Sequence, residues 1–594
     1  MLLRSSHLLA RVTATVALPA LLGACDSGNS QAVEKPEVFT GTCPEGTVMS
    51  SSRCVDAVYT VERTVAFNSV GYHPDRTKLA TLLLDVDEVR ILDDAGEVVF
   101  RTTPSEPVHD ESLEQDVWVV DFSELTEPGT YTLEYDDLDP TYATALHFEI
   151  SEDVFDDALR TAMLGITGQR CGTAVSLEHE DTTFSHRECH LGDGLMSKAG
   201  EGASEESRDG TGGWHDAGDY GKYVVNGAFA AGFMLAAWEL LPGRLDRESL
   251  HFQVPEEGNL PAYLAEVKWE LDWLFKMQRD DGAVYHKLTR LGFEGDVMPS
   301  NDSGHRYFSP IGSAATADFV AAMAQASRIY AEYDPDFAND CLEAAEQSYA
   351  FLVANPEPIR PDLSEFGTGA YQTDDSDDRA WAAAELWAAT GNLDALADFE
   401  ARVSADLLRV NFGWADLGNL GVFTYLMSTR EGRSDETVAT LTDRLLALAD
   451  SMVTNARENP WGIGYRGGPY WGINGAVVGS AANALVAYQL DPKPEYLDVA
   501  IQQVDYAFGR NPVARSYVTG VGIAPPQNPH HRPSSTDDVP TRPWPGFLVG
   551  GPNREENGAD WADYKDEAAS YWTNEVALNW SAALIFALAA DYSG

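Results

Sequence analysis

The chain has 594 residues, 44% of them hydrophobic, which is enough for one large folded domain plus a smaller one and too apolar for general disorder. Its 40 Lys and Arg against 94 Asp and Glu leave a formal charge of −54, a surface that repels polyanions and excludes a nucleic-acid role. An acidic excess with few lysines is a solubility adaptation to a salty medium and reports habitat rather than chemistry.

In chain order, residues 1–24 form a leader, with positive charge at Arg4 and Arg11, an apolar run from Val12 to Leu22, and the ending Leu22-Gly23-Ala24-Cys25. This resembles a bacterial lipoprotein signal in which Cys25 becomes the lipidated first residue; an ordinary secretory signal is the alternative. No later stretch is apolar over the length that a bilayer requires. The expectation is an exported protein, membrane-anchored through Cys25, facing the periplasm or cell exterior. Residues 25–60 read as a tether, in which Cys43 and Cys54 could close a small disulfide loop.

Over 61–150, short apolar runs such as Leu79–Leu84, Val89–Leu92, Val117–Val120 and Thr130–Tyr135 alternate with Asp-Asp, Pro-Gly and Asp-Pro turns, the pattern of a small β-sandwich. From about Asp153 to residue 594 the period becomes helical. Candidate helices cover 154–166, 221–240, 262–278, 313–333, 341–353, 378–390, 395–410, 419–427, 433–452, 474–488, 496–507 and 572–591. Several are alanine-rich on more than one face, which allows close helix–helix contact. That number of helices, joined by Gly/Pro/aromatic loops, describes a barrel of paired helices better than a bundle. Asn511–Lys565 is too long for a simple connection, and loops of that size carry function. Cys341, read as lying at a helix start, is expected to be a buried thiol.

Two carboxylate motifs stand out, Gly213-Trp214-His215-Asp216-Ala217-Gly218-Asp219-Tyr220 and Tyr571-Trp572-Thr573-Asn574-Glu575. A carboxylate pair across a cleft is the usual equipment for cutting a glycosidic bond by general acid and base, and flanking aromatics suit the apolar faces of sugar rings. On residues alone, Asp-Ala-Gly-Asp is equally a turn or cap, and a lone Glu near a helix start is commonly a capping or solvated group. Cys171, Cys189, His190 and His215 make a second constellation: two thiolates and two imidazoles satisfy tetrahedral zinc in a closed, structural site. A Cys171–Cys189 disulfide is the competing reading, and His186 is a spare ligand. The acidic run Asp374, Asp375, Asp377 and Asp378 offers oxygen ligands for calcium but lacks a calcium-loop spacing, so a solvated acidic loop is expected there.

The ordered motifs Asn68-Ser69-Val70-Gly71-Tyr72, Gln169-Arg170-Cys171-Gly172, Gly212 to Tyr223, Asp378 to Leu386, Pro529-His530-His531-Arg532, Gly550-Gly551-Pro552-Asn553 and Asn574-Glu575-Val576-Ala577 resemble glycoside hydrolase family 9. The likeness is in particular to bacterial members with an immunoglobulin-like module ahead of an (α/α)6 barrel. The resemblance implies a mainly α fold of that architecture. It makes Asp219 the general base, Asp216 its assistant and Glu575 the general acid, with Asp566 ordering the loop beneath. It makes His531 and Arg532 sugar contacts, and it supports zinc at the Cys/His set and calcium elsewhere. Trp381, Tyr465, Trp471, Trp544 and Tyr571 are candidate stacking platforms, each as readily a core residue. The implied function is an inverting β-1,4-glucan hydrolase of the endoglucanase type. The alternatives are exo-action on short gluco- or glucosamine-containing oligosaccharides and a carbohydrate-binding lipoprotein without activity.

Overall fold

The structure is a computed structural model that describes residues 64–593 apart from 137, 139–145, 198–205, 537–541 and 554–559, together with two strands at Thr47–Ser50 and Arg53–Asp56. The leader, Cys25 and Cys43 lie outside the described residues, and with them the lipid anchor and the Cys43–Cys54 loop. Among the described residues no helix is long and apolar enough to cross a membrane.

Two sheets face each other in the first module. One runs in the order Gly71–Tyr72, His147–Ile150, Gly129–Tyr135, Val89–Asp93, Val98–Thr102; the other runs Val65–Phe67, Leu79–Leu82, Gln115–Asp121, Val108–Asp110. All neighbours are antiparallel except Gly71–Tyr72 against His147–Ile150. Alternate residues point inward, so Val89, Ile91, Leu133 and Val120 are fully buried in a core shared with Tyr72 and Phe148.

Twelve helical positions follow among the described residues, one of them filled by a pair of helices, alternating between outer and inner. The inner ring comprises Val224–Leu240, Ser313–Tyr330, Ser376–Thr390, Gly418–Met427, the pair Ile473–Gly479 and Ala481–Leu490, and Leu578–Leu588. Each packs on the next, Leu578–Leu588 closes onto Val224–Leu240, and Asn419 Nδ2 donates to Asn483 Oδ1 at 2.7 Å to tie the fourth member to the fifth. Inner helices are buried on every face, as from Val224 to Ala237 and from Ser313 to Ser327. Their Ala and Gly content permits that closeness. Outer helices carry a single apolar stripe: Asp435–Glu458 buries Leu441, Leu445, Ala449, Met452 and Ala456. This is an (α/α)6 barrel behind a β-sandwich.

Some boundaries differ from the sequence expectation. The helix expected at 341–353 starts at Pro335, with Asp334 capping the Phe337 N–H at 3.1 Å, so Cys341 sits inside the helix as a buried free thiol. The segment expected as one helix over 572–591 divides into Tyr571–Asn574 and Leu578–Leu588, leaving Glu575 in extended backbone between them. Of the acidic run only Asp374 is exposed loop, as expected; the other three are not. Asp375 and Asp378 are buried, Asp375 pairs with Arg379 at 2.7 Å, and Asp377 accepts the Leu417 N–H at 2.7 Å.

The sandwich is locked to the barrel through buried polar groups. Asn68 donates to Asp505 at 2.8 Å and accepts from the Val70 and Gly71 N–H groups. Ser69 donates to the Phe508 carbonyl at 2.7 Å, and Trp461 Nε1 donates to Asp110 at 2.7 Å. Burial pushes the Asp505 carboxyl up to about 7, and the Asn68 bond opposes that shift. Asn68→Ala is expected to leave Asp505 without its donor and to lower unfolding stability by about 1–3 kcal/mol, read as a lower denaturant midpoint.

Candidate active site

Loops that enter the inner helices converge at one end of the barrel. The Gly213–Tyr223 loop precedes Val224–Leu240 and is fixed from several sides. The Gln169 side chain donates to the Ala217 carbonyl at 2.8 Å, the Leu578 N–H to the Asp216 carbonyl at 2.9 Å, and the Trp214 N–H to buried Glu270 at 2.7 Å. Two glycines are dictated by space. A Cβ on Gly213, where φ is +73°, would lie 2.7 Å from the Trp273 ring, and one on Gly218 would lie 2.2 Å from the His530 carbonyl oxygen.

Asp216 and Asp219 are 2% and 5% exposed. Asp216 accepts from Asn226 Nδ2 and from the Tyr371 hydroxyl, each at 2.7 Å. Burial, then the charge of Asp219, pushes its carboxyl up to about 7 against those two bonds. Asp219 accepts from the Gly221 N–H at 3.0 Å and from the Tyr223 hydroxyl at 3.4 Å. Tyr371 holds φ at +45°, a left-handed conformation uncommon for an aromatic, while its hydroxyl is held on Asp216.

Glu575 arrives from the other side. Its N–H donates to the Tyr571 carbonyl, its carbonyl accepts from Gly550 at 2.9 Å, and it bridges to His530 in a parallel pairing. Asn574, fully buried, donates to Asp566 at 3.1 Å and accepts from the Tyr564 hydroxyl at 2.6 Å. Asp566 also accepts the Gln527 and Asn528 N–H groups, each at 2.8 Å, so it does order the chain beneath Glu575. Desolvation raises the Glu575 carboxyl well above the usual carboxylate range. Asp219 and Asp216 push the same way, against Arg532 and a hydrogen bond from Trp471.

Of the five proposed platforms, Trp471 and Tyr571 are 49% and 38% exposed, with ring centroids 5.5 Å apart beside Glu575. Tyr465 is half-buried beside Gly467, whose Cβ would fall 1.7 Å from the Tyr465 hydroxyl. Trp381 and Trp544 are not platforms. Trp381 is fully buried in the barrel with its indole N–H on Glu385 at 3.1 Å, and Trp544 is 1% exposed among Phe184, His186 and His531.

The His-Arg pair is also corrected. His531 is 1% exposed, packed on Phe547 and bonded to Ser534, so burial denies it a sugar hydroxyl. Half-buried His530 takes the cleft position beside Tyr571, its Nδ1 oriented by the Ala568 carbonyl at 2.7 Å. Arg532 is committed to protein: it donates to the Gly218 carbonyl at 2.7 Å and pairs with Glu294 at 2.9 Å, which makes it a positioning residue for the Asp219 loop. Tyr371, Asn226, Glu294 and Trp414 escaped the sequence reading; the Trp414 ring lies 4.8 Å from Tyr371 and continues the aromatic wall.

Cys171, Cys189, His190 and His215 converge, with donor atoms all within 4.8 Å of one another. Cys171 Sγ is 3.5 Å from His190 Nδ1, His190 Nδ1 is 3.2 Å from His215 Nε2, and His215 Nε2 is 3.9 Å from Cys189 Sγ. A tetrahedral ion with ordinary sulfur and nitrogen bond lengths places its donors about 3.3–3.8 Å apart, so the set fits a closed metal site. The second ring nitrogen of His190 is held by Asp302 at 3.3 Å, the outer carboxylate typical of a metal-bound imidazole. Both cysteines are free thiols rather than a disulfide, and His186 instead bonds the Arg187 carbonyl.

A helical barrel with carboxyl groups from two loops meeting beside an aromatic wall defines a glycoside hydrolase. The sequence profile of glycosyl hydrolase family 9 matches residues 155–588, and that of the cellulase N-terminal Ig-like domain matches residues 60–139. The chain belongs to glycosyl hydrolase family 9. It is 40% identical over 559 residues to Endoglucanase D of Acetivibrio thermocellus, covering 93% of this chain and 87% of that one. It is 33% identical to a Cellodextrinase of Butyrivibrio fibrisolvens, covering 88% and 99%. Among solved structures, a metagenome-derived glycoside hydrolase family 9 endoglucanase superposes with a TM-score of 0.80 at 36% identity, covering 89% of this chain and 99% of that one.

Proposed function

We propose that the protein is an endo-acting, inverting β-1,4-glucan hydrolase in which Asp219 is the general base and Glu575 the general acid. The observation that carries this is the contrast between the two carboxyl groups. Desolvation and two neighbouring acids raise the Glu575 carboxyl well above the usual carboxylate range, while Asp219 accepts hydrogen bonds from the Gly221 N–H and the Tyr223 hydroxyl. In a single displacement, Glu575 gives its proton to the leaving oxygen as the bond to the anomeric carbon breaks. A water on the opposite face attacks that carbon and loses its proton to Asp219, which needs about 6.5–9.5 Å between the carboxyl groups. Asp216, bonded to Asn226 and Tyr371, orients the same water. Trp471, Tyr571 and Trp414 stack on the glucan, and His530, whose Nδ1–H is given to the Ala568 carbonyl, accepts from a sugar hydroxyl through Nε2. Exo-action on short oligosaccharides is the second reading, favoured by the likeness to a cellodextrinase.

Asp219→Asn and Glu575→Gln should each lower kcat on soluble β-glucan by at least about 10²-fold. The sugar first released by the unmodified enzyme should be the inverted anomer by NMR. Unchanged turnover in both variants, or net retention, sinks the assignment. A time course on cellopentaose reads endo-action as mixed early products and exo-action as one product length.

The alkaline limb of the kcat/KM profile should report loss of the Glu575 proton. Because the Asp216 charge raises the Glu575 carboxyl, Asp216→Asn removes that push, and the alkaline limb should move to lower pH. An unmoved limb rejects Glu575 as the group that titrates.

Cys171, Cys189, His190 and His215 would hold structural zinc. When bound, the ion supplies rigidity by joining the chain before and within the Asp216 loop, and thiolates so held are shielded from oxidation outside the cytoplasm. Protein purified without added metal should contain about one zinc per chain by elemental analysis. Cys189→Ser should lose that zinc together with thermal stability and turnover, with the product anomer unchanged. Full activity and stability in verified metal-free protein refutes the role.

The leader ending at Ala24-Cys25 supports export, with lipid attached at Cys25. Intact mass of the membrane-extracted chain should show a diacylated or triacylated residue 25, and an unmodified Cys25 would dismiss the anchor.

A further inference from the structure

A buried lysine stands behind Asp219. Lys287 begins the strand Lys287–Thr289 and lies directly opposite Tyr223 in the antiparallel pairing with Lys222–Tyr223, so the two side chains share a face. Lys287 is 0% exposed, and its ammonium lies 5.4 Å from the centroid of the Tyr223 ring. The Tyr223 hydroxyl in turn reaches Asp219 at 3.4 Å.

The ammonium has three oxygens for its three protons: the Thr368 carbonyl at 3.4 Å, the Thr368 hydroxyl at 3.0 Å and the Gly369 carbonyl at 2.7 Å. Neighbouring His286 donates its Nε2–H to the Ala370 carbonyl at 2.6 Å. Burial pushes that imidazole down to about 4, so it adds no charge. Residues 368–370 are thereby a fixed strap, and Tyr371 continues it to Asp216.

All three acceptors of the ammonium are neutral. Lys222, buried in the same sheet, is instead matched by Asp193 at 3.1 Å. An ammonium satisfied by neutral oxygens keeps an uncancelled positive charge away from water, which is costly unless an anion farther off offsets it. Burial pushes the Lys287 ammonium down to about 8, and the charge of Asp219 opposes that shift. Such an interaction is mutual, because its energy belongs to both charges. Asp219 otherwise faces Asp216, Glu294 and Glu575, each of which its charge pushes upward, together with the His530 ring and the Tyr223 hydroxyl. Arg532, the cation on the other side of this loop, is taken by Glu294 at 2.9 Å.

We propose that Lys287 is a positioning residue for the reaction: the strap fixes its ammonium over Tyr223, and from there its charge holds Asp219 in the ionised form that takes the proton from water. The benefit to catalysis rests on the reading of Asp219 as general base; the coupling of the two charges does not. A lysine that merely tied down the strap would leave Asp219 unaffected.

Lys287→Met keeps length and fill while removing the charge. The acid limb of the kcat/KM profile, where the general base takes up its proton, should move to higher pH in this variant. A purely structural loss would lower kcat by one factor at every pH, and an unmoved acid limb overturns the proposal. The coupling is also read without turnover, by NMR of the full chain with lysine labelled at the ε-carbon. The signal lost in Lys287→Met should titrate at lower pH in Asp219→Asn than in the unmodified protein, and an unchanged midpoint refutes the coupling. Should Lys287→Met fail to fold, elimination supplies the assignment: burial brings Lys78 to about 8 as well, but Lys78 belongs to the sandwich module. One of those two titrations must respond to Asp219→Asn, and a response by neither sinks the proposal. A coupling that holds while Asp219→Asn turns over normally would sink the assignment of Asp219 as base alone.

Discussion

Like charge brought out of water is the constraint on which the site depends. Asp216 and Asp219 are buried and Glu575 half-buried beside them, and three ionised carboxylates so placed would repel one another strongly. The surrounding structure answers residue by residue: Asn226 and Tyr371 face Asp216, Gly221 and Tyr223 face Asp219, and Arg532 lies near enough to moderate Glu575. The environment favours the protonated form of Glu575, and burial pushes Asp216 in the same direction. The strained Tyr371 backbone and the glycines at 213 and 218 follow from packing these supports around one small volume.

The two sides of the site come from distant parts of the chain, and ring closure makes them neighbours. Leu578–Leu588 packs on Val224–Leu240, its first N–H bonds the Asp216 carbonyl, and Ala217 bridges Ala577. Arg532 adds a third tie through the Gly218 carbonyl. The Cys/His set lies directly behind the same loop, since His215 precedes Asp216. Support by helix packing, by backbone pairing and by a metal-competent cluster therefore acts on one stretch of seven or eight residues.

Much of this was legible in the sequence, and what was missed has physical reasons. Alternating apolar runs announced the sandwich, and alanine-rich helical periods announced the inner ring, because burial on all faces selects small residues. The carboxylate loops and the Cys/His set were visible as local motifs. Tyr371, Asn226 and Glu294 were invisible because their roles come from approach across the fold, not from neighbours in sequence. Trp381 and Trp544 misled because an indole in a core and an indole on a cleft wall look alike in one dimension. His530 and His531 are adjacent, and only the extended backbone there decides which ring faces the cleft. The helix break at Glu575 was missed because Tyr571–Leu588 is apolar enough to read as continuous.

The order of helices around the ring has a consequence for how the molecule is made. Successive inner helices are also successive in the chain, so most of the barrel can assemble from contacts between segments close in sequence, a topology that favours rapid folding. The seam between Leu578–Leu588 and Val224–Leu240 is the exception, and it joins segments at opposite ends of the barrel. Glu575 enters on the same piece that seals this seam. A nascent chain thus acquires its completed wall and the Glu575 carboxyl in a single late event.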